Sequence, residues 1–177
     1  MNAIELTTER LLLKRLTINH LSDNYVSWLN DHEVNKYLET RGGYSSKKLK
    51  LFLIDQEKKD VFFWAIHLKD TSEHIGNIKI DPIDFEDGSG EYGVLMGAKE
   101  YWGKGYAKEA SQCVIDFCFS TLSLKKITLG VIENNLSAVL LYKKLGFSTS
   151  GIFNKYGYYN GTECNLIRMT LFNKNEQ

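Results

Sequence analysis

The chain has 177 residues, 43% of them hydrophobic, and carries 22 Lys+Arg against 22 Asp+Glu, a formal net charge of zero. That length suits one packed domain, 1–177, and is short for two, and the balanced charge gives no basis for attraction to nucleic acid or to an acidic membrane. No apolar run approaches the roughly 20 residues of a membrane span, and the N-terminal MNAIELTTERLLLKR lacks the apolar core of a signal peptide, so a cytoplasmic protein is expected.

Arg10 to Leu16 (RLLLKRL) reads as a first strand, and Asn19 stands where it would cap a helix from about His20 to Leu29. Trp28 to Val34 turns into a second short helix. There His32 is either a surface residue at a helix start or a substrate contact. Arg41-Gly42-Gly43-Tyr44-Ser45 breaks the helices, and Ser45 or Ser46 starts another over about Lys47 to Lys58, with Leu49, Phe52 and Leu53 on its apolar face. The charged run Asp55 to Asp60 fits a solvated helix end.

Val61 to Leu68 (VFFWAIHL) is apolar enough for a central strand, and His74 to Ile80 alternates as a third strand that Pro82 is expected to end. Phe85 to Gly90 reads as a hairpin turn into a strand over Gly90 to Met96. A glycine-rich turn then opens a helix near Tyr106, whose face of Ala107, Ala110, Val114, Phe117 and Thr121 carries it to about Leu122. A buried strand follows (Lys126 to Val131), then a helix (Asn135 to Leu145) ended by Gly146. Strands Phe147 to Phe153 and Thr162 to Leu171 close the chain, with Asn160-Gly161 as the turn between them. Seven strands and about four to five helices make an α+β arrangement with a mostly antiparallel sheet.

Cys113 and Cys118 fall on different faces of one helix and Cys164 in a late strand. With no C-x-x-C spacing, all three read as buried thiols. Histidines 20, 32, 67 and 74 form no metal-binding pattern, so no metal is expected.

In the turn from Trp102 to Ala107, Gly103 and Gly105 let successive N–H groups curl inward, and the helix that begins there adds unpaired first-turn donors and the positive end of its dipole. That geometry suits a phosphate, although an ordinary tight turn has the same spacing. G-x-x-x-x-G-K-[ST] is absent, and G-x-G-x-x-G fails because Lys108 stands where its third glycine belongs. Lys104 and Lys144 either meet phosphates or are solvated charges. On the later helix Asn135, Ala138 and Tyr142 share a stripe about 10 Å long, which suits an extended ligand. Equally, Asn135 caps the helix and Tyr142 fills the core.

Trp102-Gly103-Lys104-Gly105-Tyr106-Ala107 resembles the Q/R-x-x-G-x-G/A loop of the GNAT superfamily of N-acetyltransferases, with Trp102 in place of the usual Gln or Arg. The sequence N-x-x-A-x-x-L-Y-x-K-x-G-F from Asn135 resembles that superfamily's second signature. Trp28 to Val34 resembles the W-x-N-D-P-E-V of its RimJ/RimL-type branch, with His32 for the proline. The resemblance implies a sheet splayed between the fourth and fifth strands and acetyl-CoA as co-substrate. It implies main-chain bonds from Leu95 and Gly97 to the pantetheine amides, Asn135 on the pantetheine arm, and Tyr142 at the thioester sulfur as general acid. Gly97 is expected to form a bulge that opens the slot. A homodimer is also within the family's habits.

An amine acceptor is mostly protonated at neutral pH, so a group or water chain must take its proton. Glu91 resembles the glutamate of the branch's A-E-I-G strand, and partial burial would raise its pKa into range; otherwise it is an edge carboxylate. Glu133 is the reserve. No Cys is placed as a nucleophile, so transfer is expected to be direct. The RimJ/RimL likeness implies a protein N-terminal α-amine as acceptor, with a small amine such as a nucleotide-linked amino sugar as the alternative. A non-catalytic acyl-CoA-binding domain is the competing class.

Overall fold

The computed structural model describes residues 3–40, 42–59 and 61–174. Arg41 of the expected helix break, Asp60 of the charged run, and Met1 and Asn2 lie outside the described residues. Among the described residues eight strands form one sheet: β1 (Leu6–Thr7), β2 (Leu11–Arg15), β3 (Phe62–Leu68), β4 (His74–Asp84), β5 (Ser89–Met96), β6 (Lys126–Ile132), β7 (Ser148–Tyr159) and β8 (Thr162–Phe172). Their spatial order is β1-β2-β3-β4-β5-β6-β8-β7. Every pairing is antiparallel except β5 with β6. The strands expected fourth and fifth are therefore β5 and β6, because the two-residue β1 precedes the expected first strand.

The helices are α1 (Asp23–Asn30), α2 (His32–Asn35), α3 (Ser46–Lys58), α4 (Tyr106–Ser120) and α5 (Leu136–Lys144). Both faces of β3 are covered, as its apolar run requires. Phe62 and Trp64 meet Phe117 of α4, both at 5.7 Å, while Phe63 meets Phe52 of α3 at 6.4 Å. Among the described residues no helix is long and apolar enough to cross a membrane.

Three sequence expectations change. The helix placed over His20 to Leu29 is instead a single 3-10 turn, Ile18–His20, capped by Thr17, followed by α1 capped by Ser22; two side-chain caps compete within this stretch, and each starts its own turn. Pro82 does not end its strand: β4 runs through it to Asp84, with a shift of register between Ile80 and Ile83 where its missing N–H is tolerated. β7 continues past Phe153 to Tyr159 with most of its side chains exposed, so no buried alternation marks its extent.

His20, His67 and His74 meet beneath Tyr25 and Trp28, with ring centroids 5.2–5.3 Å apart. His74 Nε2–H donates to the Gly76 carbonyl and Asn77 Oδ1, both at 3.0 Å. Burial outweighs those bonds and, with His20 and His67 alongside, lowers the His74 pKa to about 4; burial also lowers His20 and His67, with Lys14 adding to both. Among the described residues no group of His, Cys, Asp or Glu is arranged to hold a metal ion.

Between pH 6.5 and about 4 the unfolded chain takes up a proton at position 74 that the folded chain refuses. His74 therefore favours the folded state fully above pH 6.5, and this contribution shrinks as pH falls toward 4. Urea titrations should show His74 removing about 2 to 3 kcal/mol between pH 7 and pH 4.5, and His74→Gln should lose that part of the slope while His20 and His67 keep theirs. Equal slopes in the two proteins would contradict the buried neutral imidazole.

Candidate active site

β5 and β6 are paired only over Ser89 to Glu91 and Lys126 to Thr128. Beyond that point the two strands share no register and a gap opens between them. The direction of β5's main chain toward this gap follows from strand alternation. The Gly88 carbonyl faces β6, accepting from Lys125 and Lys126 N–H, whereas Gly97 N–H turns the other way and donates to the Ile75 carbonyl at 3.0 Å. Within β5 the even-numbered residues thus address the gap, and Val94 and Met96 are those beyond the pairing with β6; the alternation ends after Met96, where Ala98 N–H also donates to the Ile75 carbonyl at 3.1 Å.

This corrects the expectation for Leu95 and Gly97, whose main chains turn toward β4. The expected bulge at Gly97 has its counterpart in the hydrogen bonds: just past the last register pair, Gly97 and Ala98 N–H both donate to the one Ile75 carbonyl, at 3.0 and 3.1 Å, two residues against one. The lack of a side chain at Gly97 serves a close approach: a Cβ there would lie 2.1 Å from the ring of Trp28.

The segment after β5 is open. Trp102, Gly103, Lys104 and Gly105 are exposed, and Gly105 caps α4 with φ 85° and ψ 0°, a left-handed conformation that needs glycine. No side chain caps α4, and the main-chain N–H groups of residues 103 to 108 have no partner among the described residues. A curved row of free donors at a helix N-terminus has the geometry that suits an anion. Trp102, where the resembling loop has Gln or Arg, donates its indole N–H to the Met96 carbonyl at 2.9 Å, so it braces the end of β5. Lys104 Nζ lies 5.1 Å from the ring of Tyr101, and Lys144 is exposed in the last turn of α5.

α5 meets this region from the far side of the gap. Asn135 is its N-cap, with Oδ1 accepting from Ala138 N–H at 3.4 Å and from the Ser137 hydroxyl at 3.1 Å, which leaves its amide N–H groups as donors. Tyr142 is 7% exposed and packs edge-on against Tyr92 of β5 at 5.8 Å and against Phe147 at 6.0 Å. Burial pushes its phenol up to about 12. The hydroxyl makes no hydrogen bond among the described residues, and it is absent from the fully enclosed polar atoms that lack partners, so it reaches open space. Tyr92 links the elements: its hydroxyl donates to Ser111 Oγ at 2.5 Å, which donates to the Ala107 carbonyl at 2.5 Å. Tyr106 and Ala107 begin the helix so anchored.

Glu91 departs from its expected role. Arg168 of β8 grips its two oxygens at 2.7 and 2.6 Å, and the Thr128 hydroxyl of β6 donates at 2.6 Å. Burial would raise this carboxyl's pKa, but the hydrogen bonds from Arg168 and Thr128 and the charges of Arg168 and Lys79 outweigh it and leave it lowered. Glu91 instead pins β5, β6 and β8 together where the gap begins. Its partner lies 77 positions away, so no local pattern announces it.

Glu91→Gln should therefore cost about 1 to 2 kcal/mol of stability, less than a fully buried pair because both groups are about one-third exposed. It should lower kcat by less than tenfold. Urea unfolding and steady-state rates check this, and a loss of 10²-fold or more with intact stability would restore the general-base role. Glu133 is held by Asn165, whose N–H and side-chain amide both donate at 3.1 Å.

Residues 10–148 match the acetyltransferase (GNAT) domain family. The chain is 28% identical over 173 residues to the uncharacterized N-acetyltransferase p20 of Bacillus licheniformis, covering 96% of each. In fold it resembles the spermidine N-acetyltransferase of Vibrio cholerae solved with CoA and spermine, with a TM-score of 0.84, 23% identity and coverage of 93% of this chain and 96% of that one. It also resembles the ribosomal-protein-S5-alanine acetyltransferase of Vibrio fischeri, with a TM-score of 0.83, 20% identity and coverage of 98% and 99%. A family match over most of the chain, joined to a split sheet and a free row of N–H donors, establishes that the chain belongs to the GNAT family and is an acetyl-CoA-dependent N-acetyltransferase.

Proposed function

We propose that the acceptor is the α-amine at the end of a peptide or protein chain, the substrate class of the RimJ/RimL-type branch. The observation that carries this is the occupied state of Glu91, which leaves the strand without a carboxylate of raised pKa. An α-amine, with a pKa of about 7.7 to 8.0, is roughly one-third neutral at pH 7.5, whereas an alkyl ammonium of pKa about 10.4 is neutral in about one molecule per thousand. A site with a weak base therefore favours the acceptor that sheds its proton readily. Asp31 and Glu33, which flank His32, are both paired with Lys99, so they offer little to a polycation.

The N–H groups of residues 103 to 108 take the diphosphate, with Lys104 and Lys144 at its flanks. Val94 and Met96 offer main-chain bonds to the pantetheine amides, and Asn135 donates from its side-chain amide. Acetyl-CoA supplies a thioester carbonyl open to attack by the amine. Full proton transfer from Tyr142 to a thiolate of pKa about 8.5 is uphill by roughly 5 kcal/mol, so its hydroxyl acts by donating a hydrogen bond to the sulfur as charge builds. The amine's proton leaves through water, with Glu133 as the reserve acceptor.

We further read residues 1–177 as one domain, place it in the cytoplasm, which suits the free Cys113, Cys118 and Cys164, and assign the outer edge of β7 to a homodimer contact.

A thiol-release assay decides the acceptor. A peptide with a free N-terminus should exceed the same peptide blocked, spermidine, and a nucleotide-linked amino sugar in kcat/KM by about 10²-fold or more. Preference for spermidine or the amino sugar would overturn the peptide reading.

A further inference from the structure

We propose that Arg10, from the turn between β1 and β2, is a positioning residue that sets the diphosphate loop in its binding conformation; this rests on reading residues 102 to 107 as that loop. One side chain reaches four residues of the loop and the helix it opens, Lys104, Gly105, Tyr106 and Glu109. Nη1 donates to the Lys104 carbonyl at 3.1 Å, and Nη2 lies 3.5 Å from where a Cβ on Gly105 would stand. The guanidinium carbon sits 4.3 Å above the centre of the Tyr106 ring. Nε and Nη2 both reach Glu109 Oε2 at 2.7 Å, and Arg10 N–H and the Thr8 hydroxyl hold Oε1 at 2.8 and 2.6 Å.

Two consequences follow from elementary geometry and charge. The peptide unit is planar and trans, so drawing the Lys104 carbonyl toward Arg10 turns the Gly105 N–H the opposite way, into the mouth of the loop. Glu109 stands one turn into α4, where a bare carboxylate would repel an incoming diphosphate, and Arg10 cancels that charge. The ion pair contributes little to the fold, because the Arg10 side chain is 42% exposed. Its rigid fork is what fixes a carbonyl and a carboxylate together, which a lysine cannot reproduce.

The test compares acetyl-CoA with S-acetyl-pantetheine, which lacks the diphosphate, in the wild-type chain, Arg10→Met and Arg10→Lys. With acetyl-CoA, Arg10→Met should raise KM by about tenfold or more and leave kcat within about twofold, and Arg10→Lys should recover only part of the loss. With S-acetyl-pantetheine, kcat/KM should be the same in all three proteins. Equal losses on both thioesters would show a general structural role, and no loss on either would show none; both overturn the proposal. A wild type that binds the two thioesters equally well would sink the loop reading itself, and the proposal with it.

Discussion

Replacing Gly105 by valine should weaken acetyl-CoA binding by more than about 10²-fold. At φ 85° a β-branched residue is strained by about 1 to 3 kcal/mol, and the loop can relieve this only by rotating the peptides on either side. That rotation turns the N–H groups away from the anion. Each hydrogen bond lost to a charged partner is worth about 1.5 to 3 kcal/mol, so two together exceed the hundredfold mark. Residues 102 to 105 are exposed and Gly105 contributes no side chain to the core, so the variant should still fold. Titration calorimetry with acetyl-CoA, beside a melting curve, reads both quantities. Binding within threefold of wild type would show that this turn does not hold the diphosphate.

Tyr142→Phe should lower kcat by about 10²-fold and leave the dissociation constant for acetyl-CoA within about threefold. The ring contacts with Tyr92 and Phe147 survive the change, and the hydroxyl has no partner among the described residues whose loss would unsettle the fold. What disappears is a donor aimed at charge that exists only as the thiolate departs, and this kind of loss appears in kcat. Activity needs the phenol protonated. With its pKa raised to about 12 by burial, the wild-type rate should show no decline from this group up to pH 10. Rapid-mixing measurements of thiol release across pH 7 to 10 check this, and an unchanged kcat in the phenylalanine variant would remove Tyr142 from the chemistry.

The strand-turn-helix unit from β5 to α4 was legible because its signals are local: apolar alternation, two glycines, then helical spacing. α3 and α5 announce themselves by Ser45 and Asn135, whose side chains do cap them. β1 escaped because two residues carry no period, and the full length of β7 escaped because its side chains are exposed on both faces. At the site, residue identity was readable but partnership was not. Arg168 and Arg10 lie 77 and 99 positions from the carboxylates they hold, and the contact with Arg168 changes the meaning of Glu91. The parity of Val94 and Met96 was countable only after Gly97 and Gly88 fixed which edge each address faces.

The short seam between β5 and β6 has a further effect. Among the described residues, three paired residues on each side, pinned by Glu91, Thr128 and Arg168, are the only ladder joining the lobe of β6, β8 and β7 to the rest of the sheet. On the proposed binding mode, a thioester seated in the gap would bridge the two lobes and act as mortar between them, adding about 2.7 kcal/mol at a hundred times its dissociation constant. The empty enzyme should therefore breathe along this seam, with amide protons at the diverging ends of β5 and β6 exchanging early, and the arrival of the acyl donor should be what closes the sheet into one cooperative body.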